Sequence, residues 1–169
     1  MEDFTKVIEK LKKDISVNGF HVEKIFILLI YRIGNCIYYS NIPKILKKVI
    51  LLFLNIVRKF SIVLLFHVEI PFRCKIGAGL KLMHPHSIIL HPCVEIGEKC
   101  TIFHGVTIGS NEKGDVNNVA TIGDNVYIGT GAKIIGGITI EDNCKIGANS
   151  VVVKNKNKNS TIICRCEVI

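Results

Sequence analysis

The sequence predicts a mainly β protein: a parallel β-helix of hexapeptide repeats behind a short α-helical segment. Three observations carry that reading. First, a branched aliphatic residue recurs every sixth position, at Ile122, Ile128, Ile134, Ile140 and Ile146, at Leu90, Ile96, Ile102 and Ile108, and at Ile70, Ile76, Leu82 and Ile88. Second, the fifth residue of most units is small or apolar: Val94, Cys100, Val106, Val126, Ala132, Ile138, Cys144, Ser150. Third, Gly and Asn/Asp punctuate the units (Gly123, Asp124, Asn125, Gly129, Asp142, Asn143), as turns with positive φ require. A period of six fits neither the helix repeat of 3.6 nor the strand repeat of 2, so each unit is a short strand plus a turn. Three units of six close one triangular coil, and coils stack at the ~4.8 Å strand spacing.

The repeat runs over residues 68–153 and breaks twice. Between Ile88 and Leu90 the count slips by two, and the step from Ile108 to Ile122 is fourteen, two sixes plus two. The second gap holds SNEKGDVNNVAT, which is polar and predicts a loop over 109–121 pushed out of a coil. Loops on a rigid scaffold are where function tends to sit.

Residues 1–67 read as helical. In 3–14, Phe4, Val7, Ile8 and Leu11 share a face, and SVNGF interrupts that helix. A second helix spans 21–39 with Ile25, Leu28, Leu29, Ile33 and Ile37 inward, and Pro43 opens a third, strongly apolar one. Lys47, Lys48, Arg58 and Lys59 cut the apolar run of that third helix below the about 20 residues a membrane span needs. Packing on neighbouring subunits is the expectation for it, ahead of an interfacial membrane helix. In 154–169 a Lys/Asn loop leads to TIICRCEVI, a candidate strand capping the coil stack.

The 169 residues carry a formal net charge of +8. Residues 1–68 hold eleven Lys/Arg against five Asp/Glu, a net of +6, and residues 69–169 hold eleven against nine, a net of +2. With no aromatic interleaving and no zinc or helix-turn-helix pattern, nucleic acid is excluded as a partner. An anionic substrate or an acidic membrane surface fits the basic segment better. Seven cysteines, an odd number without CxxC, read as reduced core thiols in a cytoplasmic protein. The charged start MEDFTKVIEK is not a signal peptide.

Four of the six histidines (His84, His86, His91, His104) fall within the early coils, where an aliphatic repeat has no use for them. No accompanying thiol or carboxylate set suggests a metal site. Acid–base chemistry is the better reading. Glu69 lies fifteen residues before His84, near one coil, so its carboxylate is expected to orient that imidazole as the general base toward a hydroxyl. No Ser nucleophile elbow is present, which favours direct transfer over an acyl-enzyme.

On VEIPFRCKIGAGLKLMHPHSIIL, CTIFHGVTIGS and TIGDNVYIGTGAKIIGGITIEDNCKIGANSVV, the chain resembles the left-handed hexapeptide-repeat acyltransferases. Within them it is most similar to the serine acetyltransferase branch, which also contains capsule and exopolysaccharide (colanic acid type) O-acetyltransferases. The resemblance implies a left-handed coil, a homotrimer, and acetyl-CoA lying between adjacent solenoids. It implies His84 as the catalytic base and Glu69 as the residue that orients it. Gly129, Thr130, Gly131, Ala132, Gly147 and Ala148 would line the CoA groove, with Lys133 or Lys145 at its phosphates. His104 is a candidate contact to acceptor or thioester, and His86, His91, Asn117 and Asn118 are candidates on the acceptor side. Three departures from the serine enzymes stand out. Val119 replaces their second active-site histidine, Met83 replaces the Asp before the catalytic one, and Cys164-Arg165-Cys166-Glu167 replaces their Gly-x-Pro-Ala. The expected activity is O-acetylation of a sugar in a surface-glycan pathway, free, nucleotide-linked or lipid-linked, at the inner face of the membrane. Serine O-acetylation and a non-catalytic hexapeptide scaffold are the alternatives.

Overall fold

The computed structural model describes residues 4–111 and 118–163. Short parallel strands form three stacked sheets that make the walls of a triangular, left-handed coil. The first sheet stacks β1 (Lys75–Ile76), β4 (Glu95–Ile96), β7 (Thr121–Ile122) and β10 (Thr139–Ile140). The second stacks β2 (Lys81–Met83), β5 (Thr101–Phe103), β8 (Tyr127–Ile128), β11 (Lys145–Ile146) and β13 (Thr161–Ile162). The third stacks β3 (Ile89–Leu90), β6 (Thr107–Gly109), β9 (Lys133–Ile135) and β12 (Val151–Val152).

Register explains why a period of six is needed. Leu82, Ile102, Ile128 and Ile146 lie directly over one another, as do Ile76, Ile96, Ile122 and Ile140. All are buried. Each such side chain stabilises the fold by about 1.5–3 kcal/mol when taken from water. The fifth-position residues are also inside, and there Cys100 and Cys144 serve as small apolar groups. Their thiols donate to the carbonyls of Gly123 and Asn157.

Both breaks in the repeat are visible. Met83 pairs with Phe103 but Ile89 pairs with Thr107, so the lower coil spends two extra residues between them. The slip expected between Ile88 and Leu90 therefore belongs to the corner His84-Pro85-His86-Ser87. The second insertion leaves between β6 and β7. Its bases fold back on the next coil, with Asn111 beside Gly136 and Asn118 against Gly137. Residues 112–117, including Asn117, lie outside the described residues. The expected terminal strand is β13, paired in parallel with β11; Cys164 and Cys166 fall outside the described residues.

Three helical stretches precede the coil: α1 (Phe4–Asn18), α2 (Val22–Tyr39) and a continuous helix over Lys44–Phe66. The last consists of α3 (Lys44–Arg58), a π turn (Lys59–Val63) and α4 (Leu64–Phe66). SVNGF interrupts the helix as expected, but only at Gly19, φ +65, so α1 runs on past residue 14 to Asn18. The cause is tertiary: Asn18 Nδ2 donates to the Leu80 carbonyl and its Oδ1 accepts from Leu82 N–H.

That pairing is part of a polar cap over the first coil, which has no preceding coil to satisfy its backbone. Asp14 Oδ1 accepts from Gly79 and Leu80 N–H. Arg32 donates to Asp14 and to the carbonyls of Ile76 and Gly77. Asn35 donates to the carbonyls of Phe72 and Cys74, and Tyr31 to Cys74. Asp14 and Arg32 are 0% and 2% exposed. Helix side chains thus replace the missing strand, as buried backbone groups require. Gly34 lets α2 approach, since a Cβ there would sit 2.3 Å from the Phe72 ring.

The third helix also differs from expectation. It is unbroken over 23 residues and, by length and composition, long and apolar enough to cross a membrane. The lysines do not shorten it: Lys44, Lys48 and Lys59 are exposed, and Lys47 donates to the carbonyls of Tyr38 and Ser40. In a straight α-helix Leu64 would lie about 100° round from Ile45. The π turn adds a residue and swings it back into line with Ile45, Val49, Leu52 and Ile56.

Candidate active site

The second and third sheets meet at a corner, and the register stacks one residue from each coil there. Because Met83 pairs with Phe103, Ile102 with Ile128, and Ile128 with Ile146, the column reads His84, His104, Thr130, Ala148. His84 and His104 are exposed, with ring centroids 6.3 Å apart and planes at 73°. The Thr130 hydroxyl lies 3.3 Å from both Nδ1 and Nε2 of His104, opposite the ring edge between them. His84 has φ 51, a left-handed conformation. The two-residue expansion makes room for it: Pro85 is buried as an anchor while His84 and His86 turn outward. His86 packs on Phe66, and its carbonyl accepts from Gly105 N–H.

Above the histidines the column is built from residues that must be small. Gly131 has φ +69, and a Cβ there would meet Asn149 Oδ1 at 2.1 Å. Thr130, Gly131 and Ala148 present an open strip beside His104. Gly129 and Ala132 are buried, so they act through backbone position alone. Lys145 stands exposed on the second sheet. Lys133 is on the third sheet and its ammonium is engaged, donating to the Gly105 carbonyl at 2.6 Å and to Thr107 Oγ1 at 3.0 Å. That ammonium braces the two coils.

Two more of the expected residues stand apart from the column. Glu69 forms no hydrogen bond or ion pair with His84. Its backbone bridges Ile89, accepting from Leu90 N–H and donating to the Ile88 carbonyl, and its side chain is exposed. Glu69 stands level with Ile89, at the start of the third-sheet wall, five residues past His84. The Glu69 charge acts instead on Arg58, opposing the burial that lowers the guanidinium pKa. His91 is not with the other three histidines. It lies after β3, at the far edge of the third sheet, half-buried, with Nδ1 accepting from Cys93 N–H. Asn118, at the base of the loop, shares that edge.

The structure therefore brings together His84, His86, His104 and Thr130, and sets His91 and Asn118 apart. The Thr130 hydroxyl was overlooked in the sequence, where the residue counted only as groove lining. The step of 26 from His104 to Thr130, the spacing that pairs Ile102 with Ile128, is the signal that finds it. A groove of about 650 Å³ lies elsewhere, between the first two helices and the first sheet. Among its five charged residues, Lys75 pairs with Glu95 at 2.6 Å and Asp142 with Lys158 at 3.3 Å. No histidine lines it. Among the described residues, no group of three or more His, Cys, Asp or Glu side chains is placed to hold a metal ion.

This coil, with its period and its walls, is that of a left-handed hexapeptide-repeat protein; the family described as bacterial transferase hexapeptide (six repeats) matches residues 120–154. Within that class the similarity is to serine acetyltransferases. The chain is 40% identical over 96 residues to the serine acetyltransferase of Helicobacter pylori strain 26695, covering 57% of this chain and 56% of that one. It is 30% identical over 136 residues to that of Synechococcus elongatus, covering 80% and 52%. The chain spans about half the length of these curated relatives. Among solved structures, Neisseria gonorrhoeae serine acetyltransferase superposes with a TM-score of 0.80 at 26% identity, covering 95% of this chain and 64% of that one. A serine acetyltransferase in complex with CoA superposes with a TM-score of 0.77 at 26% identity, covering 93% and 66%.

Proposed function

We propose that this corner is the active site of an acetyl-CoA-dependent O-acetyltransferase whose acceptor is the hydroxyl of serine. The observation that carries it is the stacking of His84 on His104 beside an open strip of small residues. The relatives named above supply the acceptor and the acyl donor, and they favour serine over the surface-glycan sugar expected from the sequence. In this reading His84 takes the hydroxyl proton as the oxygen attacks the thioester carbonyl. The C–S bond then breaks, and the imidazolium returns the proton to the departing CoA thiolate. A positioned base of this kind contributes about 10²–10⁴ in rate. His104, with Thr130 at its ring edge, borders the same space. The backbone of residues 129–132 and 147–148 lies along the strip, and Lys145 is the cation free to meet a CoA phosphate.

The enzyme in this proposal is a homotrimer, with CoA between neighbouring solenoids. A partner copy would bring its loop corner, with His91 and Asn118, toward the His84 column that one chain keeps apart from it. Buried free thiols at Cys74, Cys100 and Cys144 support a cytoplasmic setting.

One observation favours a second reading, the sugar acceptor. Val119 packs against the hydrophobic core, so its side chain supplies nothing to a zwitterion, and Met83 is uncharged. A thiol-release assay separates the readings. Serine turnover with a KM of ~1 μM–1 mM supports the first. Turnover only with nucleotide- or lipid-linked sugars selects the second. No turnover and no acetyl-CoA binding would leave a scaffold.

A further inference from the structure

The helix over Lys44–Phe66 has one face spent on the protein and one face open. Leu54 and Ile62 are buried, and Ile50, Leu51 and Val57 pack against the core. On the other side Ile45 is 81% exposed, Leu52 63%, Phe53 64% and Phe60 70%, with Val49 and Leu64 in the same row. The π turn keeps that row straight to its end. Lys44, Lys48 and Lys59 border it and are exposed. Residues 24–68 contain seven Lys/Arg and no Asp/Glu.

We propose that this face docks on an anionic phospholipid bilayer, with the helix in the plane of the surface and the coil on the aqueous side. Two facts select this occupant. The helix cannot be surrounded by lipid, because its inner face already covers the core, so it lies on the membrane and does not cross it. A second copy of the same face would bring lysine rows together with no acid in the segment to pair them. Lipid phosphates pair those lysines while the acyl region takes the apolar side chains. This inference is independent of the acceptor.

The test is flotation of the full chain with vesicles. Binding is expected to phosphatidylglycerol/phosphatidylcholine mixtures, and to be at least about tenfold weaker on pure phosphatidylcholine or in high salt. Leu52→Glu with Phe53→Glu should abolish it, and Lys44→Gln with Lys48→Gln and Lys59→Gln should weaken it by about a hundredfold. Both variants should keep the parent melting curve and the parent mass by light scattering. Three results would overturn the proposal: no flotation with anionic vesicles, binding that survives both variants, or a fall in mass for the Leu52→Glu, Phe53→Glu variant. The last would mean that a second copy covers the face.

Discussion

The polar cap over the first coil and the histidine corner are both clusters of polar side chains, and they behave as opposites. In the cap, Asp14, Asn18, Arg32 and Asn35 are all buried, and their side chains bond to one another and to the backbone of residues 72–82. At the corner, His84 and His104 are exposed, and among the described residues their one side-chain hydrogen-bond partner is Thr130, at His104. A fully paired buried cluster holds structure and has no capacity left for chemistry. An exposed imidazole with free nitrogens stabilises little and is available to take a proton. The contrast separates residues that hold the fold from those the proposed reaction would use.

The sharpest way to break that contrast is His84→Ala. It should lower the transfer rate by about 10²–10⁴ and leave the melting temperature unchanged, as read by thiol release and calorimetry. A fully active His84→Ala alongside an inactive His104→Ala would exchange their roles. Asp14→Ala should do the reverse. It strands the Arg32 charge and two backbone N–H groups, costing about 3–5 kcal/mol of stability in urea titration while the folded fraction keeps its KM. If Asp14→Ala melts like the parent, the cap is not what closes the first coil.

Gly131→Val probes the small-residue strip between the two regimes. The left-handed backbone and the clash with Asn149 should cost about 1–3 kcal/mol and also raise the KM for acetyl-CoA. A gentler change is Thr130→Val. Losing one exposed hydrogen bond worth about 0.5–1.5 kcal/mol should shift the pH–rate profile and reduce the rate up to about tenfold, with stability unchanged. An unaltered profile would make Thr130 a spectator.

The smallest effect concerns the core thiols. Burial pushes the Cys74 thiol up to about 12 and that of Cys100 up to about 11, from an ordinary value of 9.0. The folded state holds these protons where the unfolded chain has released them. Their contribution is therefore complete below pH 9 and is lost as pH rises through the interval up to about 12. Iodoacetamide at pH 8 should accordingly leave Cys74 unmodified in the native protein, as mass spectrometry can check.

The repeat units, both register breaks, the terminal strand and the three helices were legible in the sequence. Each follows from local periodicity: a residue's partners lie one coil away, at a spacing its neighbours repeat. His84 and His104 stood out for a related reason, as residues an aliphatic ladder does not require. The cap left a fainter mark, since Asp14 and Asn18 continue the apolar face of α1, but no local rule says that a polar residue on such a face bonds to a strand edge over sixty residues away. The Glu69–His84 pairing did not follow because a count of residues along the coil does not say which wall a side chain joins: Glu69 bridges Ile89, five residues past the corner histidine. Sequence by itself determined the coil, since strand stacking depends on spacing along the chain. Only the tertiary structure decided which histidines meet, what closes the open end and which helix face stays uncovered, because those depend on where the insertions and helices come to rest against the coil.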